Sequence, residues 1–369
     1  MSTLIAGTIA RGGHAAPGWI EVTGEVVSAC GSGRPPRIAD LVHDGLIAPG
    51  LIDLQLCGAA GVEVTQGADA LARIEHALLA HGVTGCLATI VTCEEDAAVR
   101  AVEAIESRAA DPGSPILGAH LEGPFLSPQY PGVHRPELLR APADGVPSYY
   151  HSPAVRLVTL APELPGAGSL IASLRAREIT VSLGHSRASV AQAQAAFAAG
   201  ARGVTHLFNA MAPLHHREPG LAGAALEDER VSLGLIADGI HVHPLVLALV
   251  RRLAGARIAL VSDASPLAAG GCDRAVLAGT DLRAGSDGAP RTVDGRLAGS
   301  SMLLDEAVRR WRKFTAATLV EAVAAGSEHP AAALGLPVPL QIGSPADLVL
   351  LDAEGRVQRT LAGGRWIAA

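Results

Sequence analysis

The chain has 369 residues, of which 49% are hydrophobic, 18% charged and 3% aromatic. That is enough apolar side chain for one large barrel and a smaller module, with a core built mainly from Ala, Val, Leu and Ile. A formal net charge of −7, from 29 Lys and Arg against 36 Asp and Glu, excludes a basic footprint for nucleic acid or an anionic membrane.

The first residues, Met1-Ser-Thr-Leu-Ile, lack a basic region followed by a long apolar stretch, so no secretory signal is expected. Residues 4–10 and 19–30 read as short strands separated by turn residues. Trp19-Ile-Glu-Val-Thr-Gly alternates apolar and polar side chains, as a half-exposed strand does. At the other end, residues 346–351, 356–361 and 365–367 read as strands between Gly-bearing turns. The two β-rich ends predict one small β-sandwich assembled from residues 1–48 and 338–369, flanking a unit over 49–337.

The middle alternates strand and helix. Apolar runs at 47–56, 83–92, 116–120, 155–160, 179–184, 203–206, 232–237 and 257–261 are eight strand candidates. Helical stretches are expected at 68–80, 94–108, 169–177, 189–199 and 244–253. Unbroken apolar strands between helices argue for a parallel sheet covered by helices, and eight such units favour a closed (β/α)8 barrel. The Ala-rich stretch 188–201 is interrupted by Gln192 and Gln194 and is too short to span a membrane, which takes about 18 apolar residues. Five cysteines (Cys30, Cys57, Cys86, Cys93 and Cys272) form no C-x-x-C pair, which argues against a disulfide framework and for a reducing cytoplasm.

Four strand candidates end in residues that bind metals or move protons: Glu122 in His120-Leu-Glu-Gly-Pro, His185 in Leu183-Gly-His, His206 in Val204-Thr-His and Asp263 in Val261-Ser-Asp. Any one alone is most simply a satisfied polar residue. Their repetition at the face where barrels of this kind place their chemistry is the signal. Two imidazoles and a carboxylate suit one divalent ion with an open position, which brings the pKa of its water to about 7. The donor set accepts Zn²⁺ and Fe²⁺ alike, and zinc is the expectation. Asp263 is placed for general acid–base work, though an Asp there also caps a following segment.

Other stretches are less specific. His134, in Pro131-Gly-Val-His, reads alone as a surface histidine on a Gly/Pro-rich loop. Asn209 to Gly220 mixes small residues with Arg217 and two histidines, which suits an anion such as phosphate, or a solvated turn. Asp238-Gly-Ile-His241-Val-His243 favours substrate contact over a second metal. The Gly-rich patches fit no dinucleotide fingerprint, and no G-x-S-x-G elbow or phosphate loop occurs. Cys86 and Cys93 read as small apolar residues.

In order along the chain, Pro49-Gly-Leu-Ile-Asp53-Leu-Gln55, His120-Leu-Glu-Gly-Pro124, Gly184-His-Ser186, Thr205-His-Leu-Phe-Asn-Ala-Met211, His216-Arg-Glu-Pro-Gly220, Ala237-Asp-Gly-Ile-His241, Ser262-Asp-Ala264, Leu297-Ala-Gly-Ser300 and Gly343-Ser-Pro-Ala-Asp347 resemble the N-acetylglucosamine-6-phosphate deacetylase family of the amidohydrolase superfamily. The resemblance implies a (β/α)8 barrel with a small β-sandwich from both termini, and loss of the acetyl group from N-acetylglucosamine 6-phosphate. It implies Glu122, His185 and His206 as ligands of one metal, Asp263 as acid/base and His134 as the group polarising the acetyl carbonyl. Asn209 and Ala210 would hold the phosphate, with Arg217 its charge partner supplied across a homodimer. His241, Val133, Leu297, Ala298 and Gly299 would line the sugar site.

The chain departs from the H-x-H of many amidohydrolases, reading Gln55-Leu-Cys57, so Gln55 is expected to position substrate. Cys57 stands where the family would lead one to expect Asn. Alternatives are an N-acetylgalactosamine 6-phosphate or other N-acyl substrate, or a non-catalytic sugar-phosphate-binding barrel. The presence of all the ligand residues argues against the last.

Overall fold

Eight apolar runs meet in a parallel sheet at the centre of the molecule, which a computed structural model describes over residues 2–368. They are β1 (Leu51–Leu56), β2 (Val83–Val91), β3 (Ile116–Glu122), β4 (Val155–Leu160), β5 (Thr180–Leu183), β6 (Gly203–Val204), β7 (Ser232–Ile236) and β8 (Ile258–Val261). Each pairs with the next in chain order. The ring closes between β8 and β1 through a parallel bridge from Leu56 to Ala264 and an Asp263 N–H donated to the Gln55 carbonyl at 2.9 Å. β1 and β2 are buried along their whole length, which is why they read as near-continuous apolar runs.

Helices α1 (Ala68–Ala80), α2 (Glu95–Ala109), α3 (Ala167–Ala176), α4 (Val190–Ala199), α5 (Gly220–Glu227) and α6 (Pro244–Ala254) cover the strands. Three more, α7 (Leu304–Thr315), α8 (Leu319–Gly326) and α9 (Glu328–Ala333), follow β8. α7 buries Leu304, Ala307, Val308 and Trp311, the three- and four-residue spacing of one helix face. α4 starts at a capping box, in which Ser189 Oγ accepts from the Gln192 N–H. The β3–β4 connection carries three short 3-10 turns in place of an α-helix, and the fully buried Tyr150 anchors it by donating to the Gly123 carbonyl at 2.9 Å.

The expected strand 47–56 is two strands. Leu41–Pro49 belongs to a second sheet, and β1 begins after Gly50. A Cβ on Gly50 would lie 2.0 Å from Thr84 Oγ1, so the chain passes between sheet and barrel where no side chain fits.

That second sheet has seven strands drawn from both ends of the chain: Ser2–Arg11, His14–Thr23, Val26–Ser32, Leu41–Pro49, Leu348–Leu351, Val357–Ala362 and Arg365–Trp366. Only Ser2–Arg11 with Leu41–Pro49 is a parallel pairing. The edge strand Val26–Ser32 returns to the other end through a bridge from Val26 to Pro345, so the sheet folds around its own core of Ile5, Ile20, Val27, Ile47, Leu348 and Leu350. A three-stranded antiparallel flap, Arg274–Leu277, Thr280–Ala284 and Pro290–Thr292, is inserted between β8 and α7. Neither the flap nor the helices after it were part of the sequence-based expectation.

Candidate active site

Glu122 is the last residue of β3, and His185, His206 and Asp263 each lie two residues beyond the end of β5, β6 and β8. His185, His206 and Asp263 all adopt left-handed backbone, at φ 47°, 32° and 46°. Such conformations are costly for a side chain with a Cβ and persist where the surroundings impose them, often at functional sites. Here they turn each chain off its strand, and the three residues join Glu122 at one cavity.

Ligating atoms of Glu122, His185 and His206 lie within 4.8 Å of one another. Nε2 of His185 and Nε2 of His206 are 3.0 Å apart, and both face Glu122 Oε1, at 3.4 and 3.2 Å. His185 Nδ1 sits 2.9 Å from the Tyr130 carbonyl, to which only an N–H can bond, so its Nε2 carries the lone pair. A lone pair held against a second imidazole nitrogen and a carboxylate, all buried, is a donor set that fits a divalent cation. Burial would raise the Glu122 pKa, but the three imidazoles around it, His134, His185 and His206, outweigh burial and hold the carboxyl well below its ordinary range. Burial pushes His185 down to about 4, which keeps it neutral and able to ligate. Gln55 Nε2 donates to Glu122 Oε1 at 2.9 Å and so fixes that carboxylate from beneath.

His134 stands beside this cluster. Its Nδ1 accepts from the Thr92 backbone N–H at 3.2 Å, so in the neutral ring Nε2 carries the proton. That Nε2 is buried with no hydrogen-bond partner among the described residues, and at 3.6 Å from Glu122 Oε2 it is too far for a good bond. An unspent donor aimed at a cavity suits an oxygen that arrives with substrate.

Asp263 faces the cluster from β8. Burial, and then the charge of Glu122, push its pKa up to about 7 against the opposing pull of His206 and His241. Cys57 Sγ lies 3.8 Å from Asp263 Oδ1, and Cys57, Glu122 and Asp263 form a second close grouping of ligating atoms. Burial and the neighbouring carboxylates drive the Cys57 thiol well above its ordinary pKa, so it is a neutral S–H donor to Asp263.

The cavity has a volume of about 380 Å³. Val133, His134, Asn209, Ala210, His241, Leu297, Ala298 and Gly299 all line it, together with the three ligand candidates and Asp263. Asp238 Oδ2 holds His241 Nδ1 at 2.6 Å, which leaves the other ring nitrogen for the cavity. Two expected site residues lie elsewhere. Gln55 is 2% exposed and off the cavity wall, and Arg217 is exposed on the loop 213–218, also off the wall.

Sequence reasoning missed Val91, Tyr130, Leu277 and Arg296, which also line the cavity. Val91 ends the apolar strand β2, and Leu277 and Arg296 come with the flap. Nothing in their local sequence marks them.

The profile of the amidohydrolase family matches residues 46–367. The N-acetylgalactosamine-6-phosphate deacetylase of Escherichia coli O157:H7 is 40% identical over 324 residues, 85% of each chain. The N-acetylglucosamine-6-phosphate deacetylase of Homo sapiens is 37% identical over 354 residues, 90% of this chain and 86% of that protein. Among solved structures, a mutant N-acetyl-D-glucosamine-6-phosphate deacetylase from Mycobacterium smegmatis, in complex with N-acetyl-D-glucosamine-6-phosphate, is similar over 100% of both chains, with a TM-score of 0.94 at 33% identity.

Proposed function

The chain belongs to the amidohydrolase family, and we propose that it hydrolyses N-acetylglucosamine 6-phosphate to acetate and glucosamine 6-phosphate, as a cytoplasmic enzyme of amino-sugar metabolism. The observation that carries this reading is the meeting of Glu122, His185, His206, Asp263 and the unspent His134 Nε2–H at one cavity. Glu122, His185 and His206 would hold one divalent ion per subunit, Zn²⁺ in our reading and Fe²⁺ as the alternative. When bound, that ion supplies Lewis-acid activation of water and carbonyl.

The residues divide the remaining work. Asp263 takes a proton as water oxygen adds to the acetamide carbon, then returns it to the nitrogen as the C–N bond breaks. His134 donates Nε2–H to the carbonyl oxygen as charge develops there. Gln55 keeps Glu122 in place, and Cys57 donates weakly to Asp263. His241, oriented by Asp238, meets the sugar, with Val133 and Leu297 to Gly299 shaping its site. Asn209 and Ala210 receive the phosphate.

We read the protein as a homodimer in which Arg217 reaches the partner's site. Its loop is exposed, and so is the stripe of Leu245, Leu249 and Leu253 along α6, at 65%, 46% and 66%, apolar surface that a second copy would cover.

A second reading exchanges the sugar for N-acetylgalactosamine 6-phosphate, favoured by the 40% identity to the Escherichia coli enzyme. Acetate release should be measured on both epimers, with protein stripped by a chelator and then reloaded with zinc or ferrous iron. Turnover should vanish on stripping and return on reloading. Inactivity of the reloaded protein on both sugars would defeat the proposal.

A further inference from the structure

We propose that Arg296, on the flap, is the cation within this chain that binds the substrate's phosphate. This rests on the phosphorylated substrate assigned above and goes beyond it by naming a residue on the same subunit. Arg296 is the one arginine among the described residues that line the cavity, and no lysine lines it. The cavity also holds two carboxylates, Glu122 and Asp263. A phosphate dianion must therefore sit away from them, against a compensating charge.

The placement of Arg296 meets that need. Its Nη1 donates to the Gly132 carbonyl at 2.7 Å, and its Nε pairs with Asp294 Oδ2 at 2.8 Å. These bonds fix the guanidinium plane and leave the Nη2 edge without a partner among the described residues. A Cβ built on Gly132 would lie 3.0 Å from the His185 ring and 3.9 Å from the Ala210 Cβ, so the residue that anchors Arg296 stands near the Asn209–Ala210 segment. In that segment Phe208 and Ala210 have left-handed backbone, at φ 75° and 47°; the Asn209 N–H is taken by the His206 carbonyl at 2.9 Å, while the Ala210 N–H has no partner among the described residues and can meet an anion. Gly132 thus holds a fixed guanidinium near a backbone donor. Arg296 is half exposed, so solvent screens its charge and the effect on binding is moderate.

The same contacts would also let Arg296 act only as a clasp between flap and loop, so the test separates the two roles. Steady-state kinetics on N-acetylglucosamine 6-phosphate and on N-acetylglucosamine should be compared in wild type, Arg296→Gln and Arg296→Lys, with inorganic phosphate binding followed by calorimetry. In Arg296→Gln the ratio of kcat/KM for phosphorylated over unphosphorylated sugar should fall about tenfold or more, through KM. Affinity for inorganic phosphate should fall alongside it, and Arg296→Lys should recover part of both. An unchanged ratio overturns the proposal, as does an equal loss on both sugars through kcat, which marks a clasp. Should wild type hydrolyse neither sugar, the deacetylase reading fails by itself. Calorimetry then still decides Arg296, because phosphate binding equal in wild type and Arg296→Gln refutes its role.

Discussion

In the proposed reaction His134 and Asp263 do different things to the same amide, and their variants should fail differently. Asp263→Asn keeps the shape of the side chain and removes the proton acceptor. Turnover should drop by at least ~10²-fold with bound zinc, measured by elemental analysis, unchanged. Near-normal kcat in that variant would remove Asp263 from the chemistry. His134→Ala removes a donor that bonds only once the carbonyl oxygen gains charge, so kcat should fall ~10²- to 10³-fold with KM little altered. A rise in KM at constant kcat would show that His134 merely binds substrate. Glu122, His185, His206 and Asp263 were legible in the sequence because each follows an apolar run at the same relative place. Gln55 was legible as important but not in its contact, because a glutamine beside a strand end can turn toward substrate or toward a carboxylate, and here it turns to Glu122. Arg296 and Leu277 carry no such local mark.

The elements follow the same logic. The eight strands could be read because parallel strands buried on both sides must be apolar throughout. The flap could not, since its strands are short and mostly exposed, with only Leu277 and Leu282, or Pro290 and Thr292, facing inward. The helices also lean on polar joints that pattern alone does not reveal. His81 at the end of α1 lies 3.2 Å from Asp305 on α7. The bond to Asp305 raises the His81 pKa above its ordinary value. Its contribution to stability is therefore full below the unfolded histidine value of about 6.5, and is lost as pH rises through the higher folded value. For Asp305, burial is outweighed by His81 and Arg309, which lower its pKa. That share is present above the unfolded carboxylate value of about 3.9 and is lost as pH falls through the lower folded one. The joint is strongest between these limits. Thermal unfolding of His81→Gln against wild type should show a larger gap in Tm at pH ~5.5 than at pH ~8.5, small at both because His81 is partly exposed. A gap that is equal or wider at the alkaline end would contradict the pairing.

At the scale of the whole molecule, the two ends of the chain share one folded sheet with its own apolar core, separate from that of the barrel. On that basis we propose that residues 1–48 with 338–369 form a unit of their own beside the barrel of 49–337. Chain ends held in one sheet leave the catalytic face to the barrel loops and the flap. Strand ends, those loops and the flap supply the cavity residues of this subunit, and in the proposed reading the dimer adds a second cation for the phosphate through Arg217. The loop 213–218 is exposed, and among the described residues the Arg217 guanidinium bonds only to its own neighbour, His216, at 2.9 Å. An arginine acting from the partner can be detected by mixing two impaired proteins. Asp263→Asn lacks its acid/base but retains Arg217. Arg217→Ala retains Asp263 but offers its partner no arginine. In a mixed dimer, the site of the Arg217→Ala subunit has its own Asp263 and receives the arginine of its partner, while the other site lacks both. Subunits exchanged under mild denaturation and refolded together should therefore recover turnover, at low substrate, above the mean of the two parents. If Arg217 acted within its own subunit, every site in the mixture would still lack one group. Activity would then equal the parental mean, and the shared-site dimer would have to be abandoned.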